Sequence, residues 1–137
     1  MNVVSKHREL INPEKIHDPI GYTHVTIPKG NKIIFLSGQV AWDKDLNIVV
    51  EGDLEKQTDM VYKNIAAALE EVGATWDHIV KTTVYTTMPT EYEIIGSVTE
   101  KYFGDVAAPS QTIVGVTGLA LEQFLIEIEA IVVIDES

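Results

Sequence analysis

The sequence predicts an α+β fold, a single domain in which a mixed sheet of about six strands carries two helices on one face. The chain has 137 residues, of which 45% are hydrophobic, so it can bury one core without crosslinks. Its predicted elements follow the order strand, strand, short strand, helix, strand, helix, strand, strand. Two helices cover only one face of such a sheet, and self-association would cover the other.

The first third of the chain is predicted to consist of strands and turns. Residues 1–19 are polar, contain two prolines and show no sustained period, which indicates an irregular N-terminal arm. Residues 22–27 and 33–40 are predicted strands, and the Pro-Lys-Gly-Asn sequence between them favours a hairpin. A turn at residues 42–47 leads into a short predicted strand at residues 48–50.

Capping signals mark two helices in the rest of the chain. Asp53 is a candidate N-cap, apolar residues then recur at helical spacing, and Gly73 ends the segment. A capping-box sequence that starts at Thr90 opens the second helix, which ends at Gly104. The remaining apolar segments are predicted strands, at residues 79–87, 111–117 and 124–134.

Composition excludes several classes of protein. The chain has 21 acidic and 10 basic residues and a net charge of -11, with scattered lysines and Arg8 as its only arginine, so no nucleic-acid partner is expected. It has no cysteine, which excludes disulfides and thiolate chemistry. No apolar run has the length of a signal peptide or a membrane span, so we expect no membrane partner and a cytoplasmic location.

The last predicted strand contains two carboxylates within an apolar run. Because side chains alternate along a strand, Glu127 and Glu129 share one face, and the apolar residues between them share the other. The apolar face is core. The acidic face is either exposed to solvent or lines a site, and the pattern alone leaves both open.

Several segments carry motifs that resemble those of the RidA (YjgF) family of reactive-intermediate deaminases. The most specific are Ser-Gly-Gln and Glu-Ile-Glu-Ala, and the resemblance covers about residues 20–134. It implies a RidA-like domain at residues 20–137 with a fold similar to bacillus-type chorismate mutase. It also implies a homotrimer with ligand clefts between neighbouring subunits. The matching segments are residues 20–22, 35–40, 80–85, 112–116 and 126–130.

The resemblance implies which residues form the cleft. Tyr22 matches a tyrosine that shapes it, and Glu127 matches the carboxylate that orients the attacking water, so both are predicted catalytic residues. Ser37, Gly38 and Gln39 match the backbone turn that contacts the ligand, and they are predicted binding residues.

The arginine with which deaminating members clamp a substrate carboxylate is replaced in this chain. The matching position is Gln111, or Thr112 if the alignment slips by one residue, and Arg8 lies outside the matched region. A substrate-contacting asparagine falls near Gly96, and a cysteine is matched by Ile113. Gln111 is therefore a predicted binding residue for a neutral or weakly polar ligand.

His24 is a further candidate because it follows Tyr22 by two residues and would share its face of a regular strand. It could act as an acid or base, or as a cation that partly replaces the clamp, although a lone strand histidine is more often a satisfied polar residue. The four histidines lack ligand-like spacing, and no phosphate-binding glycine loop is present. Neither a metal nor a cofactor is expected.

Three functions remain open. The first is a hydrolytic deaminase that acts on small imines or enamines, and the second is a non-catalytic small-molecule-binding or sensing trimer. The third is the endoribonuclease or translation-inhibitor activity sometimes assigned to the family, which the acidic composition disfavours. Gln111, Gly96 and Ile113 depart from the family pattern together, which favours a cleft adapted to a different ligand.

Overall fold

The computed structural model describes residues 5–136 and confirms the predicted α+β fold. Short 3-10 turns, Trp76–His78 and Pro89–Glu91, each precede a longer element. In chain order these longer elements are β1 (Arg8–Ile11), β2 (Val25–Pro28), β3 (Lys32–Gln39), α1 (Leu54–Glu71), β4 (Ile79–Thr86), α2 (Tyr92–Phe103), β5 (Ser110–Gly115) and β6 (Ile126–Ile134).

The main sheet has the strand order β3-β6-β4-β5. Its β4–β5 pair is parallel, whereas β6 pairs antiparallel with both β3 and β4, so the sheet is mixed as predicted. Side chains of α1, α2 and β6, among them Ile65, Ile95 and Ile128, join in one core. The helices therefore cover the face that carries the even-numbered residues of β6.

Local signals explain the ends of the helices. The Asp53 side chain caps α1 by accepting the amide of the residue three positions on, at 3.0 Å. Gly73 and Gly104 follow the two helices with φ of 72° and 57°, a conformation that favours glycine. The capping box predicted at Thr90 is wrong, because Pro89–Glu91 forms a 3-10 turn and α2 begins only after it, with no side-chain cap.

The predicted irregular arm contains a strand. β1 pairs antiparallel with β2 in a two-stranded ribbon, so the hairpin predicted between β2 and β3 is wrong. The ribbon attaches to the segment before β5 through Thr23. The Thr23 amide donates to the carbonyl of Pro109 at 3.1 Å and its hydroxyl donates to that of Ala108 at 2.6 Å.

Arg8 anchors the ribbon to the main sheet. Its side chain is fully buried. Its guanidinium donates to the carbonyls of Ile79 and Ala107 at 2.9 and 2.7 Å, to the Asp77 carboxylate at 2.9 Å and to the Ser5 hydroxyl at 3.1 Å. Asp77, Ile79 and Ala107 lie about seventy to one hundred positions further along the chain, so no local pattern around Arg8 predicts β1.

The short strand predicted before α1 is wrong. Ile48 forms only an isolated bridge with Trp42, and Val50 has a φ of 49°, which a strand does not contain and a β-branched residue rarely adopts. The turn predicted at residues 42–47 is confirmed, since the Asp43 carboxylate accepts two backbone amides within it at 2.9 Å.

The face of the main sheet opposite the helices, called the helix-free face below, is uncovered in a single chain. Ile33 and Phe35 of β3 are 62% and 74% exposed on it. At its centre, the Tyr85 hydroxyl donates to Glu129 at 2.6 Å. Ile33 and Phe35 thus form an exposed apolar patch at the β3 edge of this face.

Candidate functional site

The residues predicted to form the cleft fall on opposite faces of the main sheet. Glu127 pairs with Tyr85 in the β4–β6 register and lies on the helix-free face. Gln111 pairs with Thr82 in the β4–β5 register and donates to its hydroxyl at 3.2 Å, on the helix side. Thr82 and Tyr85 are an odd number of positions apart on one strand, so Gln111 and Glu127 point away from each other.

Four of the predicted residues, Ser37, Gly38, Gln39 and Glu127, form one group, called the Glu127 cluster below. The β3–β6 register shifts by one residue at this point, which makes a bulge. The Glu127 side chain lies against Gly38, where a Cβ would be 2.8 Å from Glu127 Cδ. The Gln39 amide donates to the Ser37 carbonyl at 3.2 Å. Close approach of Glu127, and not a positive φ, therefore requires glycine at position 38.

The surroundings of Glu127 favour its protonated form. Burial raises the pKa of the Glu127 carboxyl, and the neighbouring Glu129 carboxylate raises it further. Tyr85 donates to Glu129, and this hydrogen bond raises the pKa of the Tyr85 phenol. A carboxyl with a raised pKa exchanges its proton closer to neutral pH, which suits a group that binds and orients water.

A groove of about 1190 Å³, called the α2 groove below, lies between α2 and the segments around β1 and the start of β2. Tyr22 and Gln111 line it, together with Tyr92 of α2, which is 57% exposed. Gly96 and Ile113 line it too, and a Cβ at Gly96 would meet nothing within 4 Å. Gln111, Gly96 and Ile113, the three positions predicted to depart from the family pattern, therefore line one groove.

Gln111 and Thr112, the two candidates for the arginine position, lie on different faces of β5. Thr112 pairs with Thr83 and accepts a hydrogen bond from Lys81 Nζ at 2.6 Å on the helix-free face, so Gln111 and not Thr112 lines the groove. Arg8 also lines the groove, but four of the five N–H groups of its guanidinium are already bound to protein acceptors. It is not available as an anion clamp.

Tyr22 contacts two histidines at one side of the α2 groove. His17 Nε2 and the Tyr22 hydroxyl are 2.7 Å apart, and His24 Nε2 donates to the His17 carbonyl at 2.7 Å. The rings of Tyr22 and His24 meet edge to face with centroids 5.3 Å apart. The predicted closeness of Tyr22 and His24 is observed, but in a loop, since β2 begins only at Val25. Tyr22 lines the groove, whereas His17 and His24 do not.

The residues predicted to form one cleft do not come together in a single chain. The lining of the α2 groove includes no member of the Glu127 cluster. The two halves are also separated laterally, because β3 and β5 are the opposite edge strands of the main sheet. Among residues 5–136 no group of three or more histidines or carboxylates is placed to hold a metal ion, and no helix in this range is long and apolar enough to cross a membrane.

Comparisons with known proteins find relatives over most of the chain and solved structures with a similar fold. The family described as Endoribonuclease L-PSP matches residues 15–134. A RutC family protein of Pyrococcus abyssi is 39% identical over 124 residues, which cover 90% of this chain and 95% of that protein. The chloroplastic Reactive Intermediate Deaminase A of Arabidopsis thaliana is 30% identical over 127 residues, which cover 93% and 66%. A Rid family protein of unknown function from Yersinia pestis has a TM-score of 0.87 at 31% identity, with 93% and 99% covered.

Proposed function

Since this chain belongs to the RidA (YjgF) family, we propose that it forms a homotrimer that binds a small carboxylate-free imine or enamine between its subunits and hydrolyses the C=N bond. The observation that carries the proposal is the separation of the Glu127 cluster and the α2 groove on opposite faces of one sheet. A cleft forms where the cluster of one subunit meets the groove of the next. Three copies joined in this head-to-tail way form a closed ring.

The helix-free face supports self-association. Phe35 is 74% exposed there, and full burial of such a side chain stabilises an assembly by about 1.5–3 kcal/mol. The same face carries Glu127, so an interface that covers Ile33 and Phe35 also encloses the carboxylate. Assembly and formation of the cleft are thus one event.

Glu127 orients the water that attacks the substrate. Its carboxylate accepts a hydrogen bond from water and directs the water oxygen to the C=N carbon. The C–O bond forms as the C=N π bond opens, one water proton passes to Glu127, and the nitrogen gains a proton. The C–N bond of the resulting carbinolamine then breaks, and ammonia and a carbonyl compound leave. An enamine first gains a proton at carbon and enters the same sequence as its imine tautomer.

The charge of the groove sets the class of ligand. The Gln111 amide is neutral, and the Arg8 guanidinium is paired with Asp77 and bound to its other acceptors, so neither offers a counter-charge to a carboxylate. Glu93 and Glu100 of α2 line the same groove. A carboxylate placed here would lose its hydration and gain no cation in exchange, which favours ligands that carry no carboxylate.

The test uses two imines that differ only in a carboxylate. Oxidation of an amino acid gives a 2-iminoacid in situ, and oxidation of the matching primary amine gives its carboxylate-free counterpart. We expect the protein to accelerate ammonia release from the second imine, and Glu127→Gln to abolish the acceleration, while the exposed control Glu122→Gln keeps it. Acceleration of neither imine would overturn the hydrolase, and a preference for the 2-iminoacid would overturn the ligand class.

A second candidate function is binding or sensing without turnover. It is favoured by the placement of Gln111, Gly96 and Ile113 together in the α2 groove. Changes at three positions of one groove are more consistent with adaptation to a different ligand than with simple loss of activity. Calorimetry with the primary amine, a stable analogue of the carboxylate-free imine, separates the candidates. Saturable binding by a protein that releases no ammonia would favour sensing.

A further inference from the structure

We infer that His17 is a positioning residue that sets the direction of the Tyr22 hydroxyl proton, so that Tyr22 donates into the α2 groove only when His17 is protonated. The inference rests on the proposed function for one point alone, the presence of a ligand in the groove. The orientation of the hydroxyl is a property of the protein itself and is measured without a ligand.

His17 contacts Tyr22 from outside the lining of the groove. Tyr22 lines the groove and His17 does not, and the two side chains meet through a short contact of 2.7 Å between His17 Nε2 and the phenol oxygen. The loop around them is held by polar contacts. His24 Nε2 donates to the His17 carbonyl at 2.7 Å, and the His24 amide donates to the Asn12 side chain at 2.9 Å.

A single protonation reverses the direction of the His17–Tyr22 hydrogen bond. When His17 is neutral and carries its proton on Nδ1, the Nε2 lone pair accepts the phenol proton, and Tyr22 presents only oxygen lone pairs to the groove. When His17 is protonated, both ring nitrogens are donors, so Nε2–H donates to the phenol oxygen. The Tyr22 proton then turns toward another acceptor, and the groove is the space that Tyr22 lines.

Other titratable groups surround this pair. The His24 ring lies edge to face with the His17 ring at a centroid distance of 4.8 Å. His24 Nε2 is already a donor to the His17 carbonyl and cannot accept the Tyr22 proton. Asp18 follows His17 in the chain. The charged residues that line the groove are Arg8, Glu93, Glu100 and Asp105.

The consequence for function is a donor that is available only while His17 is protonated. A hydrogen bond from Tyr22 to the ligand nitrogen draws electron density from the C=N carbon and favours attack by the water that Glu127 orients. When His17 loses its proton, this donor is lost. The expected loss of rate is about three- to tenfold, the factor of one neutral hydrogen bond.

Nuclear magnetic resonance of the full chain tests the inference directly. With tyrosine labelled at Cζ and histidine labelled at both ring nitrogens, a titration from about pH 5 to 8 covers the range of an imidazole. We expect the Tyr22 Cζ resonance to shift with the same midpoint as the His17 ring, and the shift to vanish in His17→Gln. Tyr92, which lines the same groove, is the internal control and should not follow His17.

The result that would overturn the inference is a Tyr22 resonance that ignores the His17 titration or that still titrates in His17→Gln. If the shift is lost in His24→Gln while His17 titrates normally, the effect belongs to His24, and the inference is overturned as well. In the imine assay, His17→Gln and Tyr22→Phe should each flatten the pH profile of the carboxylate-free substrate. A wild type with coupled resonances but no ammonia release would refute the proposed function alone.

Discussion

The side chain of Glu127 lies against the Cα of Gly38, so that a Cβ on residue 38 would stand 2.8 Å from Glu127 Cδ and 2.9 Å from its Cγ. The bulge between β3 and β6 creates this approach, because it opposes one extra residue of β3 to the strand that carries the carboxylate. The absence of a Cβ at Gly38 of β3 thus leaves the space that the Glu127 side chain of β6 occupies.

Gly38→Ala should therefore displace the Glu127 carboxylate toward solvent. Because burial is the main cause of the raised pKa of Glu127, we expect that pKa to fall toward its ordinary value, as measured by a carbon resonance titration of the carboxyl. The displaced atoms are the flexible end of a side chain, so the free energy of unfolding in urea should fall by only about 1 kcal/mol.

Gly118→Ala is the matched control for this variant, because a Cβ at Gly118 would meet nothing within 4 Å. It should leave both the pKa of Glu127 and the stability unchanged. A Gly38→Ala protein in which Glu127 keeps its raised pKa would contradict the packing described here.

Arg8→Ala should destabilise the protein strongly. It leaves the carbonyls of Ile79 and Ala107 without this buried donor. It also removes the only cation paired with the Asp77 carboxylate in the part of the chain that the structure describes, although this carboxylate keeps its hydrogen bond from Ser5. The expected loss in the free energy of unfolding is about 3 kcal/mol, the lower end for a buried ion pair, because the Asp77 side chain is still 18% exposed. Lys29→Ala, on an exposed residue beside the same ribbon, should stay within about 0.5 kcal/mol.

The cost of Arg8→Ala should also depend on pH. Burial acts to raise the pKa of Asp77, but hydrogen bonds from Ser5 and Arg8 hold that pKa below its ordinary value. The stability from this carboxylate is therefore present above the ordinary pKa and is lost as pH falls through the lowered one. Urea unfolding in acid should show a smaller difference between wild type and Arg8→Ala than at neutral pH. An equal difference would mean that the carbonyls, and not Asp77, account for the loss.

The elements whose signals are local could be predicted from the sequence. Asp53 and Gly73 bound α1 because a cap and a positive φ each depend on a single residue and its neighbours. β1 could not be predicted, since it is held by Arg8 through partners that only the folded chain brings near. The β-branched residues 48–50 predict a strand that does not form, because the backbone of Val50 takes a positive φ.

The candidate site was predictable in part for the same reason. Motif resemblance located Tyr22, Gly38, Gln111 and Glu127, but not their separation onto two faces, because the face of Gln111 depends on its register with β4. His17 was missed altogether. It lies in a loop five residues before Tyr22, a spacing that corresponds to no regular element.

Gln111→Arg should change the class of substrate. The new guanidinium would lie in the α2 groove and pair with a carboxylate. Such a contact in a desolvated site is worth about 2–5 kcal/mol, or about one and a half to three and a half decades in rate or affinity. We expect hydrolysis of the 2-iminoacid to rise by at least about tenfold and hydrolysis of its carboxylate-free counterpart to fall, as measured by ammonia release.

Thr112→Arg is the matched control, because it adds the same charge one residue away on the helix-free face. It should give no gain on the 2-iminoacid. If Gln111→Arg also gives none, and instead weakens binding of the primary amine, the groove belongs to a binding or sensing protein and hydrolysis is not its function.

A cleft formed between the Glu127 cluster of one subunit and the α2 groove of the next is tested most directly by crosslinking. The experiment is straightforward because the chain has no cysteine of its own. Gln39→Cys and Ile113→Cys, combined in one chain, put one thiol in each half of the cleft, on opposite edge strands of the sheet. After treatment with a short bis-maleimide, the double variant is predicted to run as a covalent trimer on a denaturing gel, because each subunit joins both neighbours. Each single variant should remain monomeric. A double variant that stays monomeric, or that stops at dimers, would contradict a cleft shared by three head-to-tail subunits.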